Sequence, residues 1–371
     1  MISHRQRVLN TFNHEESDRV PRDLMGNATM ILDNAYFCLR DYLGFSPIEP
    51  IRKGHTANYY DERILEYFDI DFRRIFLEVN EEYNGIKENE DGTFTDIWGV
   101  VYKKEGLYVT PIKHPLSNVK DIEDIKKFNW PIAEKMFNFK GLGRKAKAMY
   151  YETDYALVAR NPITEGFIDK SCALMGTENF LVSLITQPKI IEFILEHLYQ
   201  IYSQIYSLFL DEIGEWVHMV ETADDIGTQN NLLISPDHYR KFIKPLEKKL
   251  YQLIHEKAPK SALFRHTDGS VFSIIPDFIE IGVNVLNPVQ TRTKNMDGNT
   301  LKMTFGDKIT FHGAIELLEN SIDFIQQEVK EKISIFKKNG GYIFAPCNHI
   351  INTSPENIIG MYEAAEKYGN Y

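Results

Sequence analysis

Residues 262–287 read ALFRHTDGSVFSIIPDFIEIGVNVLN, and this stretch contains the repeating unit on which the fold depends. The apolar run Ala262–His266 predicts a strand, because short apolar segments bounded by turn residues are typical of buried strands. A helix is predicted over Val271–Ile281 and a second strand over Val283–Asn287. A strand, a helix and a strand in this order indicate neighbouring strands of a parallel sheet.

The same alternation recurs along the chain. Further strands are predicted at Arg74–Leu77, Tyr155–Ala159, Trp216–Glu221, Ile309–Gly313 and Tyr342–Ala345. Further helices are predicted at Pro188–Leu210, Pro236–Glu256 and Ile322–Lys338. Seven or eight such units without a break favour a closed (β/α)8 barrel that forms a single domain over residues 1–371. The motifs GxGxxG and GxxxxGK[ST] are absent, so the commonest reasons to prefer an open doubly wound sheet are missing.

The segment from about residue 85 to 120 has a different pattern. Asp91-Gly92 is a turn signal, and the flanking residues alternate as in strands. We expect a β-hairpin excursion from the barrel here, because the segment is short for a separate domain.

Composition narrows the class of protein. The chain has 371 residues, of which 43% are hydrophobic and 26% charged, so it can bury a large core without disulfides or a structural metal. Its 42 Lys and Arg against 53 Asp and Glu give a net charge of −11, which disfavours nucleic acid or an anionic membrane as the main partner. Three widely spaced cysteines and a charged N-terminus without an apolar stretch indicate a cytoplasmic protein.

Polar residues follow the predicted strands. In a (β/α)8 barrel, the residues at the C-terminal ends of the strands form the active site. The candidates for substrate binding at these ends are Asp225, Gln229, Asn287, Gln290 and His312. The cluster from Glu221 to Asp225 is open to two interpretations, a substrate, metal or proton-transfer site or a set of helix-capping and loop residues.

The sharpest local pattern is His266-Thr-Asp268-Gly269. Residues two apart in an extended chain point to the same side, so His266 and Asp268 are predicted to face one space. With Cys347 from another strand end, they form a candidate set of three Zn²⁺ ligands with one position open. The alternative is that His-X-Asp is a chance pattern and that the histidine is a hydrogen-bonded structural residue.

Several long blocks resemble the uroporphyrinogen decarboxylase superfamily, and the resemblance runs nearly end to end. The blocks are HRQRVLNTFNHEESDRVP at 4–21, DDIGTQNNLLISPDHYRKFIKP at 224–245, HTDGSVFSIIPDFIEIGVNVLNPVQ at 266–290 and GGYIFAPCNHIINTSPENI at 340–358. The resemblance implies a (β/α)8 barrel, in agreement with the strand and helix pattern.

Two activities are known within this superfamily. The decarboxylase carries an Arg-rich RQAGRY motif and a catalytic Asp after its first strand, whereas this chain has only Arg22 in VPRDLMGNATMIL and no Asp in FLEVN at 76–80. The cobalamin-dependent methyltransferases that use thiols hold Zn²⁺ with a His-X-Cys pair and a later Cys. His266 and Cys347 match that pattern and Asp268 replaces the first Cys, so a thiol substrate is less certain.

The resemblance therefore favours a corrinoid-dependent methyltransferase that moves a methyl group between a small donor or acceptor and a corrinoid-binding partner protein. Zinc is the expected metal, with His266, Asp268 and Cys347 as ligands and Glu221 as a fourth ligand or proton donor. Cobalamin is expected on the partner, because no DxHxxG motif occurs here. The alternatives are a cofactor-free decarboxylase and a non-catalytic barrel that binds a tetrapyrrole.

Overall fold

A computed structural model of the protein describes residues 2–52, 56–106, 108–317 and 321–371. The strands are β1 (Phe72–Ile75), β2 (Glu78–Val79), β3 (Lys87–Glu88), β4 (Phe94–Thr95), β5 (Val101–Glu105), β6 (Tyr108–Lys113), β7 (Phe137–Asn138), β8 (Ala156–Ala159), β9 (Met219–Ala223), β10 (Ala262–His266), β11 (Val285–Asn287), β12 (Thr310–Ile315) and β13 (Tyr342–Pro346).

The helices of the first half are α1 (His4–Phe12), α2 (Asp33–Tyr42), α3 (Glu62–Tyr67), α4 (Glu81–Asn84), α5 (Ile122–Lys126), α6 (Ala133–Met136), α7 (Leu142–Glu152), α8 (Phe167–Met175) and α9 (Thr177–Thr186). Those of the second half are α10 (Pro188–Ile213), α11 (Pro236–His238), α12 (Lys244–Lys257), α13 (Ile275–Glu280), α14 (Gly298–Phe305), α15 (Ile322–Phe336) and α16 (Pro355–Tyr368). Within the described ranges, none of these helices combines the length and apolar character needed to cross a lipid bilayer.

Seven strands form a parallel sheet in the order β1-β8-β9-β10-β11-β12-β13. Spatial neighbours are therefore also successive strands of this sheet along the chain, as the alternation of strands and helices predicts. We call the side where the strands end the carboxyl edge and the side where they begin the amino edge. The prediction of a mixed α/β fold with a parallel sheet is confirmed.

The sheet is curled around a small apolar core of its own. Phe72 of β1, Phe264 of β10 and Ile343 of β13 belong to one buried cluster, which Val8 of α1 also joins. Residues two apart on these strands share this inner face, while the other face packs against the helices in a separate, larger cluster. Because both edge strands contribute to the inner cluster, the sheet curls around it.

The segment Pro21–Asp23 lies between the two edge strands. The backbone N–H of Asp23 donates to the Phe344 carbonyl (2.8 Å), and that of Phe344 donates to Pro21 (2.9 Å). On the other side, the N–H of Asp71, just before β1, donates to the Arg22 carbonyl (3.0 Å). This segment thus contacts the first and the last strand of the sheet.

Two predicted boundaries are wrong in ways that affect the site. The strand predicted at Trp216–Glu221 is Met219–Ala223, which places Glu221 at the centre of the strand and not at its end. The helix predicted at Pro236–Glu256 is interrupted by a π-helical turn at Tyr239–Ile243. Pro245 follows that turn and has no N–H to donate, so the regular helical hydrogen-bond pattern cannot run through it.

The excursion near 85–120 is larger than a hairpin. Strands β3 to β6 form a four-stranded antiparallel sheet, with the turn at Asp91-Gly92 between β3 and β4. It docks on α8, where the buried Lys170 forms an ion pair with Asp96 (3.8 Å) and lies over the Trp98 ring (5.0 Å). The excursion is therefore anchored near the carboxyl edge, after β8.

Candidate active site

Three side chains with metal-binding atoms meet at the carboxyl edge. One ligand atom from each of Asp225, His266 and Asp268 lies within 4.8 Å of the other two. The Nε2 atom of His266 is 3.6 Å from Oδ1 of Asp225 and 4.0 Å from Oδ1 of Asp268. We call these three residues the ligand cluster. The sequence analysis predicted His266 and Asp268 to face one space, and the structure brings them together with Asp225.

The backbone around Asp268 explains how the cluster is held. His266 is the last residue of β10, and Gly269 turns the chain with a φ of +88°. A Cβ atom at Gly269 would lie 2.6 Å from the backbone of Gly227, so a larger residue cannot occupy this turn. Gln290 fixes the turn, because its Oε1 accepts from the Gly269 N–H (2.7 Å) and its Nε2 donates to Asp268 (3.0 Å).

The two adjacent aspartates after β9 have different tasks. Asp224 is buried and accepts hydrogen bonds from the backbone N–H groups of Ile168 (3.0 Å) and Asp169 (3.1 Å), which caps the start of α8. Asp225 joins the ligand cluster, and its Oδ1 also accepts the Asp268 N–H (2.8 Å). The capping interpretation therefore applies to Asp224, whereas Asp225 lies with the other potential metal ligands.

Carboxylates crowd this edge. Oδ2 of Asp169 accepts the backbone N–H of Asp225 (3.0 Å). Burial, with the nearby charge of Asp225, raises the pKa of Asp169 to about 7. Burial also raises the pKa of Asp268 to about 6, against the opposing effect of His266. Such raised values arise where like charges share a site that is partly shielded from water.

A chain of buried polar side chains lies behind His266. Its Nδ1 is 2.6 Å from Oδ1 of Asn287, and Nδ2 of Asn287 is 2.8 Å from Nδ1 of His312. Nε2 of His312 is in turn 2.9 Å from Oδ2 of Asp23. Asn287 and His312 were predicted to bind substrate, but both are buried and each bonds a neighbour in this chain. The structure therefore places them behind the ligand cluster.

Arg74 connects that chain to Glu221. Its guanidinium forms two hydrogen bonds to Asp23 (2.8 and 2.6 Å) and one to Glu221 (3.0 Å). Burial acts to raise the pKa of Asp23, but Arg74 and His312 overcome it and hold that pKa well below its usual range. Glu221, predicted as a fourth ligand or proton donor, also lies 3.4 Å from Arg160 and is not part of the ligand cluster.

Two other predicted residues lie apart from the cluster. Cys347 is fully buried, and its Sγ donates to the Val289 carbonyl at 3.4 Å. Burial, more than any charge, raises the pKa of its thiol well above the usual value. Among the described residues, the grouping of potential metal ligands does not include Cys347. Gln229 is exposed, and its backbone carbonyl accepts from the N–H of Lys294 (3.1 Å).

Three residues of this region were not assigned to the site from the sequence. Arg74 shares its face of β1 with Phe72, two residues earlier, and this period is the signal that could have placed it inside the sheet. Asp23 and Asp169 carry no such signal, because their partners are distant in sequence. Asp23 and His312, for example, are 289 residues apart.

A sequence profile described as uroporphyrinogen decarboxylase (URO-D) matches residues 158–368, which is more than half of the chain. The chain belongs to the uroporphyrinogen decarboxylase family. This confirms the resemblance found in the sequence. The matched range includes the ligand cluster and the buried residues Asn287 and His312, whereas Asp23 and Arg74 lie outside it.

The fold is similar to solved structures. A methyltransferase from Methanosarcina mazei is 18% identical, with 99% of each chain covered and a TM-score of 0.66, so the two proteins share a fold. The native xylanase 10B from Thermotoga maritima is 11% identical over 62% of this chain and 80% of its own, with a TM-score of 0.37. No curated protein matches the chain.

Proposed function

We propose that this family member is a methyltransferase that moves a methyl group between a small molecule and a corrinoid carried by a separate protein. The reaction takes place at the carboxyl edge, with Zn²⁺ held by Asp225, His266 and Asp268. The observation that carries the proposal is the convergence of these three ligand atoms within 4.8 Å. This ligand set differs from the sequence prediction in having Asp225 where Cys347 was expected.

The residues fit such an ion in chemistry and spacing. Catalytic zinc sites have three protein ligands from nitrogen, sulfur or carboxylate oxygen and an open fourth position. Two atoms bound to one Zn²⁺ at about 2 Å each are at most about 4 Å apart. The distances from His266 to Asp225 (3.6 Å) and to Asp268 (4.0 Å) already meet that limit.

The charge at this edge also favours a cation. Asp169, Asp225 and Asp268 lie near one another, and none forms an ion pair with Lys or Arg in the part of the chain that the structure describes. Like charges close together in a shielded site are unfavourable unless a counter-charge is present. A divalent ion would neutralise this excess.

The chain's own residues have separate roles in this proposal. The metal, when bound, would supply a Lewis acid that activates a sulfur, oxygen or nitrogen atom of the small substrate. Gln290 keeps Asp268 oriented, because it donates to the Asp268 carboxylate and accepts from the N–H of Gly269. The Asp268 N–H in turn keeps Asp225 in place. The small substrate would occupy the position that the three ligands leave open.

Family membership is compatible with decarboxylation as well as methyl transfer. The absence of an RQAGRY motif and the match of His266 to the methyltransferase pattern favour methyl transfer. The similarity to the Methanosarcina methyltransferase over 99% of both chains is in agreement. A corrinoid partner follows from the same branch of the family.

The proposal includes closure of the barrel. Pro21–Asp23 would act as the eighth strand, because it is hydrogen-bonded to β13 on one side and to the residue before β1 on the other. In a closed barrel, Asp23 faces the interior with Arg74 and His312, which accounts for a carboxylate with no exposed surface.

The test combines metal analysis with an optical assay. Purified protein should bind close to one equivalent of Zn²⁺, and free cobalamin should change its visible spectrum when the protein and candidate methyl donors or thiol acceptors are added. Asp225→Asn should weaken zinc binding, whereas Asp237→Asn, a change at an exposed carboxylate on α11, should not. Methyl transfer that survives chelation and His266→Ala would overturn the metal proposal. A protein that gives no change in the cobalamin spectrum with any of these donors or acceptors would favour the cofactor-free decarboxylase.

A further inference from the structure

We propose that Asp23, acting through His312 and Asn287, makes Nδ1 of His266 a hydrogen-bond donor, so that Nε2, which faces Asp225 and Asp268, is the nitrogen available to a metal ion. These residues form a proton-orienting relay, and Asp23, His312 and Asn287 are its positioning residues. Only the link to metal binding rests on the proposed function, since Nε2 is the atom that would bind the metal. The tautomer itself is a property of the metal-free protein.

The relay starts from a carboxylate that can only accept hydrogen bonds. Asp23 has no exposed surface, and Arg74 binds both of its oxygens at 2.8 and 2.6 Å. This paired geometry is that of an ionised carboxylate with a guanidinium. The atom facing its Oδ2, Nε2 of His312 at 2.9 Å, must therefore carry a proton and donate it.

The next step concerns the other nitrogen of His312. Its Nδ1 lies 2.8 Å from Nδ2 of Asn287. An amide NH₂ group can only donate, so Nδ1 of His312 accepts and the proton of the ring is the one on Nε2 that faces Asp23.

Asn287 transmits this orientation. With its NH₂ group bound to His312, the amide of Asn287 has only its oxygen left for His266. The oxygen faces Nδ1 of His266 at 2.6 Å, where it can only accept. His266 therefore donates from Nδ1, and Nε2 is the nitrogen that faces Asp225 and Asp268.

The relay works against the local charge. Asp225 and Asp268 stand 3.6 and 4.0 Å from Nε2 of His266 and would draw a proton to that atom. The hydrogen bond of Nδ1 on the opposite side of the ring is shorter by an ångström or more, so Nδ1 keeps its proton beside the Asn287 oxygen. Partners that set the tautomer of a ligating histidine in this way typically change metal affinity about 10- to 100-fold.

The experiment measures the tautomer directly. Protein labelled with ¹⁵N-histidine and stripped of metal is studied by long-range ¹H–¹⁵N correlation, and His266 is assigned by comparison with His266→Gln. The spectra are recorded over a pH series, and above the pH at which the His266 ring loses its second proton the wild type should show the Nδ1–H form. Asn287→Leu, which keeps the side-chain size but removes the acceptor, should shift His266 to the Nε2–H form and weaken zinc binding about 10- to 100-fold.

Asn161→Leu is the matched control. Asn161 is also buried just after a strand of the same sheet, but its Oδ1 accepts from Tyr206 (3.1 Å), outside the relay. The Asn161→Leu substitution should leave the His266 tautomer unchanged. An Nε2–H tautomer in the wild type, or an Nδ1–H tautomer that persists in Asn287→Leu, would overturn the relay. If the wild type has the Nδ1–H form but binds no zinc, the relay stands and the proposed function fails.

Discussion

Carboxylates at the two edges of the sheet have opposite surroundings. At the amino edge, Asp71 is fully buried and accepts hydrogen bonds from Arg7 (2.6 Å), Arg19 (2.7 Å) and His4 (2.8 Å). Burial acts to raise the pKa of Asp71, but His4 and the two arginines hold it below its usual range. This edge is built so that a negative charge is compensated within the protein.

At the carboxyl edge the compensation is missing. Asp225 and Asp268 face His266, and the described residues offer them no ion pair with Lys or Arg. The pKa of Asp268 is accordingly raised, to about 6. Perturbed acids without a structural partner are typical of functional sites, and in (β/α)8 barrels the carboxyl edge is where those sites lie. The amino edge thus compensates its buried charge within the protein, and we propose that a ligand does so at the carboxyl edge.

The largest expected effect comes from replacing one histidine at each edge, His266 at the carboxyl edge and His4 at the amino edge. His266→Ala should reduce methyl transfer to the background of the assay, because it removes the nitrogen ligand, while the protein stays folded although buried Asn287 loses a hydrogen bond. His4→Ala should lower the thermal midpoint, since it removes a hydrogen bond to buried Asp71, and leave the activity of folded protein intact. The spectral cobalamin assay and thermal unfolding followed by circular dichroism measure both. The same loss of activity in both variants would remove the distinction between the edges.

The second prediction compares how replacing one aspartate at each edge changes the stability of the protein. Asp71→Asn removes the buried counter-charge that Arg7 and Arg19 share, and each arginine keeps only its more exposed partner, Asp18 or Asp69. It should destabilise the protein by about 3 to 5 kcal/mol, as is usual when one partner of a buried ion pair is removed. Asp268→Asn removes a charge close to Asp225 and should leave the metal-free protein equally or more stable. Urea unfolding of both variants gives the free energies. Equal losses would show that the carboxyl edge is also structural.

These edges differ in how much of them could be predicted from the sequence. The parallel sheet follows from apolar strands that alternate with amphipathic helices, and His266 and Asp268 follow from a spacing of two residues. Cys347 was included because it follows a predicted strand and matches a family pattern, but neither observation reports that its thiol is fully buried. Local spacing thus predicts neighbours on one strand and says nothing about burial.

The contacts between strands could not be predicted in this way. Arg74 meets Asp23 across 51 residues and Glu221 across 147 residues. Such pairs form only when the sheet curls, and the sequence pattern fixes neither the curl nor the register that brings them together. The same holds for Asp169, which reaches Asp225 from a different loop. Closure of the barrel by Pro21–Asp23 stays a prediction.

The third prediction concerns the stability of the protein at acidic pH. The folded pKa of Asp71 is lowered, so its contribution to stability is complete above the unfolded pKa of about 4 and is lost as the pH falls through the folded value. The difference in free energy of unfolding between wild type and Asp71→Asn should therefore be constant from pH 7 to 5 and narrow below pH 4. Repeating the series in a His4→Ala background removes the other titratable group that bonds to Asp71, while Arg7 and Arg19 stay charged. A difference that stays constant down to pH 3 would contradict the assignment.

The smallest expected effect decides between the two ligand sets. Cys347→Ala should leave zinc affinity unchanged, because its buried thiol donates to the Val289 carbonyl and is not in the ligand cluster. Its cost should be confined to stability, at about 1 kcal/mol for the lost packing of a small buried side chain. Asp225→Asn should instead weaken zinc binding while stability is kept, since the Asp225 side chain is partly exposed. Competition with a chromophoric chelator measures both affinities in parallel with unfolding. If Cys347→Ala loses zinc and Asp225→Asn keeps it, the thiol is the ligand, and the carboxyl edge must rearrange on metal binding to bring it to His266.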